Sequence, residues 1–95
     1  MLDIVATSEF RTADKKMRKQ KKDVTLFDEV LEKLVKNLPL DPAYKNHPLK
    51  GYHPVIWELH IRPDWILFYR IDKKKNQLQL ITMGSHSDLL RKKKR

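Results

Sequence analysis

The chain has 95 residues, enough for one domain with a modest core. It contains no cysteine, which excludes disulfides and cysteine-ligated zinc. Twenty-one Lys+Arg against twelve Asp+Glu leave a net charge of +9, which favours a polyanion or an acidic protein as partner.

In chain order, "LDIVAT" (residues 2–7) is short and β-branched and reads as a strand. Thr7 or Ser8 can cap a helix in which Phe10, Ala13 and Met17 recur at helical spacing. The stretch "MLDIVATSEF" is too short and too polar for a signal peptide. Residues 11–22, "RTADKKMRKQKK", carry seven basic residues and one acidic: Arg11, Lys15, Lys16, Arg18, Lys19, Lys21 and Lys22 against Asp14. They form a candidate RNA-binding face, with a plain solvated surface as the bland reading. A second helix starts near Asp23 or Thr25, and Phe27, Val30, Leu31, Leu34, Val35 and Leu38 give it a full apolar stripe. Pro39 is expected to end it. The short connection between the two helices predicts an antiparallel hairpin.

Residues 39–54 hold four of the five prolines and read as one long loop, a common location for function. Three strands follow. "VIWELHI" (55–61) puts Val55, Trp57, Leu59 and Ile61 on one face, and Ile56, Glu58 and His60 on the other. "DWILFYRI" (64–71) is apolar on both faces up to Arg70, as in a central strand. "QLQLITM" (77–83) is the third, and "GSHSDLL" (84–90) leaves the sheet, read as a helical turn. The expected fold is α+β in the order βααβββ: a helical hairpin on a three- to four-stranded antiparallel sheet. Its uncovered face would form a groove. One domain spans residues 1–90, and a basic tail, "RKKKR", occupies 91–95. No apolar run reaches the roughly 18–20 residues of a membrane span, so a cytoplasmic protein with no membrane partner is expected.

Four histidines stand out: His47, His53, His60 and His86. None of them has the i, i+4 spacing of a helical zinc site, so neither a metal nor another cofactor is expected. Four unrelated surface histidines are one reading. The other uses their titration near neutral pH. RNA can be cut if one group deprotonates the 2′-OH, another protonates the 5′-oxygen, and a cation or donor steadies the phosphorane. His47, His60, His86 and Asp64 are the right types for proton transfer, and Arg62, Arg70 or a lysine for the phosphate. Trp65 and Tyr69 could stack on a base, although core packing suits Tyr69 better.

"LPLDPAYKNHPLKG", "HIRPDWILFYRI" and "GSHSDLL", in this order and spacing, resemble the signature stretches of the YafQ-type branch of the RelE/ParE toxin superfamily. The resemblance runs from about Ser8 to Leu90. It implies a RelE/ParE-like fold and a toxin of a type II toxin–antitoxin module. Such a toxin is a ribosome-dependent endoribonuclease that cuts mRNA and halts translation. It also implies a cognate antitoxin, with ribosome and mRNA as further partners, and a hetero-oligomeric toxin–antitoxin complex. The family's catalytic positions fall on His47, His60, Asp64 and His86. His60 and His86 are the first candidates for acid and base, and His47 and Asp64 share or orient that role. Trp65 falls on a supporting position, and His53 has no counterpart.

Two departures stand out. Thr82 occupies the position of a phosphate-binding arginine, and a hydroxyl cannot replace a bidentate guanidinium. Arg62 or Lys50 could substitute, or activity is reduced. Leu90 replaces an aromatic residue, which removes a stacking platform. The missing arginine at Thr82 motivates the alternative of a non-catalytic RNA- or ribosome-binding module, or a ParE-like inhibitor of a target such as gyrase.

Overall fold

Thr7 joins the first strand to the first helix with its side chain. The hydroxyl oxygen of this N-cap accepts the backbone N–H of Phe10 at 3.0 Å, which starts helix α1 (Ser8–Lys19). The same hydroxyl donates to the carbonyl of Ile81 at 2.5 Å and so ties the helix start to the last strand. The computed structural model describes residues 1–20 and 23–85. Expectations for Lys21, Lys22, His86, Leu90 and the tail 91–95 lie outside the described residues.

Helix α2 (Val24–Val35) follows Asp23, and its stripe buries Phe27, Val30, Leu34 and Val35. Pro39 does not end it. The helix stops earlier, where Asn37 takes a left-handed φ of 56°. Its N–H bonds the carbonyl of Leu34 at 3.2 Å, and the N–H of Leu38 bonds that of Lys33 at 2.9 Å. This is a Schellman stop with Asn in the glycine position.

The strands are β1 (Asp3–Ala6), β2 (His47–Pro48), β3 (Trp57–Arg62), β4 (Trp65–Asp72) and β5 (Gln77–Gly84). They form one sheet in the order β1-β5-β4-β3-β2. The expected sheet had three or four antiparallel strands; the observed one has five and is mixed. β1 pairs in parallel with β5, from Asp3↔Gln77 to Ala6↔Leu80. The chain reaches β5 through the helices and the rest of the sheet, so the hairpin logic of adjacent strands does not apply to β1. The fifth strand, β2, came from the presumed loop. Proline lacks the N–H that an inner strand needs, and Pro48 accordingly lies on the edge.

Both helices cover one face of the sheet. There Phe10 and Met17 of α1 and the stripe of α2 pack on Leu59, Ile61, Leu67, Tyr69, Leu78, Leu80 and Met83. Phe27 is at the centre, 6.1 Å from the Phe10 ring and 6.0 Å from the Trp65 ring. On β5 the core positions change parity, from Leu78 and Leu80 to Met83. The cause is a bulge: Tyr69 faces Leu80, but Phe68 faces Thr82, which leaves Ile81 as the extra residue. Thr82 is thereby turned to the face away from the helices.

Candidate active site

The face away from the helices gathers the polar residues. Strand alternation places Glu58 and His60 there on β3, and His47 is the register partner of Glu58 from β2. Glu58 also faces Phe68, and Phe68 faces Thr82, so one row crosses four strands. One step along, His60 faces Ile66, and Ile66 faces Gly84.

Glu58 holds both rings. His47 Nε2 lies 3.5 Å from Glu58 Oε2, and His60 Nε2 lies 3.2 Å from Glu58 Oε1. The two imidazoles stack at 6.0 Å between centroids with 25° between planes. The side chains of His60 and Glu58 are each only 15% exposed, whereas His47 is 49% exposed and forms the solvent side of the cluster. His47 Nδ1 lies 2.6 Å from the carbonyl of Lys45. A carbonyl only accepts, so this contact places a proton on Nδ1.

The stretch "LDPAYKNHPL" folds so as to deliver His47. Asp41 caps a single 3₁₀ turn, Pro42–Tyr44, by accepting the N–H of Ala43 at 2.9 Å, and Pro42 needs no donor at its start. Tyr44 packs against the core. Lys45 then turns with a left-handed φ of 48°. Asn46 accepts the hydroxyl of Tyr69 at 2.5 Å, and the next residue is His47. Tyr69 itself is buried in the core and stacks on Trp57 at 6.5 Å. Burial pushes its phenol up to about 12, against the opposing hydrogen bond to Asn46.

The remaining candidates are distributed as follows. Asp64 is exposed in the turn Pro63–Asp64, at the end of the sheet nearest His60. Trp65 packs in the core on Phe27, on the helix side, so any support it gives the site passes through the packing of β4. Arg62 Nε is hydrogen-bonded to Asp23 at 3.0 Å and fastens the β3–β4 hairpin to the start of α2. Lys50 is exposed in the turn beside Gly51, whose φ is 85°. Thr82 is only 6% exposed. His53 is exposed. Arg11, Lys15, Lys16, Arg18 and Lys19 are exposed on α1, but α1 packs against the other face of the sheet. Arg18 is engaged there by Asp14 at 3.0 Å and Asp28 at 2.9 Å.

A hollow of about 960 Å³ is lined by Leu2, Leu38, Trp57, Tyr69 and Ile71, under the end of α2. Glu58 was missed as a site residue, although its alternation with His60 was visible in "WELHI". Asn46 was missed as well, because its partner Tyr69 is 23 residues away. Among the described residues, no group of three or more His, Asp or Glu side chains is arranged to hold a metal ion.

Comparison with known proteins adds to this geometry. A family model described as the bacterial toxin of type II toxin–antitoxin systems, YafQ, matches residues 2–91. The chain is similar to the mRNA interferase toxin YafQ of Escherichia coli K12, with 33% identity over 88 residues, covering 92% of this chain and 94% of that protein. Among solved structures it resembles a metal-bound toxin from Helicobacter pylori, with a TM-score of 0.87 and 40% identity over 94% of this chain and 99% of that one. It also resembles the toxin in the E. coli DinJ–YafQ complex, with a TM-score of 0.83 and 32% identity over 94% of this chain and 98% of that one.

Proposed function

Because the chain belongs to the YafQ family of bacterial toxins of type II toxin–antitoxin systems, we propose that it is a ribosome-dependent mRNA endoribonuclease acting by acid–base chemistry without a metal. The observation that carries this reading is the pair of imidazoles held by one carboxylate on the sheet face away from the helices. One proton-accepting side chain takes the proton of the 2′-OH. The 2′-oxygen attacks phosphorus, and the bond from phosphorus to the 5′-oxygen breaks. A second side chain protonates that oxygen, leaving a 2′,3′-cyclic phosphate and a 5′-hydroxyl. His60, steadied by Glu58, is one member of the pair. His47, Asp64 and His86 are the candidates for the other.

The ribosome supplies in-line positioning of the mRNA, which is a large part of the barrier. The cations of α1 lie on the opposite face from the histidines, so they serve docking to ribosomal RNA rather than the cut. The partner that silences the toxin is an antitoxin with an acidic segment, in keeping with the charge of +9 and with the relative solved in a toxin–antitoxin complex. Its place of action is the cytoplasm, where ribosomes translate.

Primer extension on a reporter mRNA in a purified translation reaction tests the reading. Wild type is compared with His60→Ala and His86→Ala, with and without ribosomes. Cuts that need ribosomes and fall by about 10²-fold or more in the folded variants are expected. Arrest of translation without any cut, unchanged in both variants, would replace the nuclease by a non-catalytic ribosome-binding module.

A further inference from the structure

We infer that Arg70 is the phosphate-binding residue of this site, supplying from β4 the cation that Thr82 does not supply from β5. The inference rests on the nuclease reading for its substrate, but its physical basis is independent of it. Arg70 lies on the face away from the helices, two residues from Phe68 on the same strand. Phe68 is the register partner of both Glu58 and Thr82. Arg70 is therefore the diagonal neighbour of both, at about 7–8 Å between backbones, a span that a long side chain bridges.

Its Nε is buried and has no hydrogen-bond partner among the described residues. A buried donor left unmade is unfavourable, and a guanidinium cannot shed its charge to escape that cost. Arg62 is already engaged by Asp23, and Arg18 by Asp14 and Asp28, while Arg11 lies on α1, against the other face of the sheet. Arg70 thus combines a permanent charge and a fork of donors on the same face as the histidines, with its buried Nε left without a partner inside the protein. The ligand that fits these properties is a phosphodiester, which takes two parallel N–H donors. In the proposed cleavage that group is the scissile phosphate or its immediate neighbour, and Arg70 steadies the charge that grows on it.

Two measurements on the folded full chain decide the matter. The first follows the Arg70 Nε–H signal by NMR while inorganic phosphate, or an uncleavable 2′-O-methyl RNA, is added. Arg70→Gln assigns the signal. A saturable shift, tighter for the RNA than for phosphate, is expected; a signal that neither probe moves overturns the assignment. The second compares cleavage in the translation reaction. Arg70→Gln is expected to lose about 10²–10³-fold, and Arg70→Lys to recover only part of that, because a point charge does not reproduce the fork. Cleavage by Arg70→Gln equal to wild type overturns the role in the reaction. If wild type itself cuts nothing, the nuclease reading falls, and the NMR titration alone decides whether Arg70 holds a phosphodiester.

Discussion

Glu58 organises the candidate site, because one carboxylate sets two imidazoles. Glu58→Ala removes the shared acceptor. Single-turnover cleavage should fall by about tenfold or more with little change in ribosome affinity, and ¹⁵N spectra should show the His60 ring losing its preference for a proton on Nε2. Tyr69 makes a different contribution, at the boundary between core and site. Its hydroxyl holds Asn46, and Asn46 positions the residue after it, His47. Tyr69→Phe should cost about 1 kcal/mol of stability for the lost hydrogen bond and reduce cleavage without removing any acid or base. The phenol also ties stability to alkaline pH. Its folded pKa of about 12 is above the ordinary value of 10.0, so its contribution is complete below pH ~10 and is lost as pH rises toward ~12. Urea unfolding across that window should show wild type losing on the order of 2 kcal/mol more than Tyr69→Phe.

At the level of elements, the end of α2 provides a sharp test. Asn37 holds a left-handed φ of 56°, which a β-branched side chain resists. Asn37→Val should therefore lose about 1–2 kcal/mol, and Asn37→Gly should match or exceed wild type; thermal denaturation separates the two. The same stop shows where the sequence was legible and where it was not. Pro39 was a visible terminator, but the chain turned at a residue whose preference for positive φ is weaker evidence than a proline. The two helices and the strand β3 were legible from periodicity, because each buries one consistent face, and β4 and β5 from their apolar runs. The parity change on β5 was not, because the bulge depends on what β4 presents opposite it. For that reason Thr82 could be read as a missing arginine but not as a buried residue beside Phe68. His47 and His60 were legible as chemistry by residue type. Their common carboxylate was hidden in an ordinary alternation, and His47 reaches it only because residues 47–48 form an edge strand.

At the level of the whole molecule, charge and chemistry lie on opposite faces. The cations of α1 are on the helix-covered side, and the histidines are on the other. Replacing Lys15 and Lys16 together by Gln should therefore lower the slope of log affinity for ribosomes against log salt by about two, while the rate of cleavage at saturating ribosomes stays near wild type; a salt titration measures both. The parallel pairing of β1 with β5 has a consequence for when this toxin can exist at all. β1 is made first, yet its partner is Gln77–Leu80, and Leu78, Leu80 and Met83 complete the core beneath the helices. A nascent chain whose last strand is still inside the exit tunnel has neither its outer strand docked nor its core closed. Chains stalled before β5 emerges should be digested readily by protease, and chains stalled well beyond it should resist. In this order of synthesis the outer strand docks and the core closes only after β5 has left the tunnel, so the cluster of histidines is the last part of the molecule to be set in place.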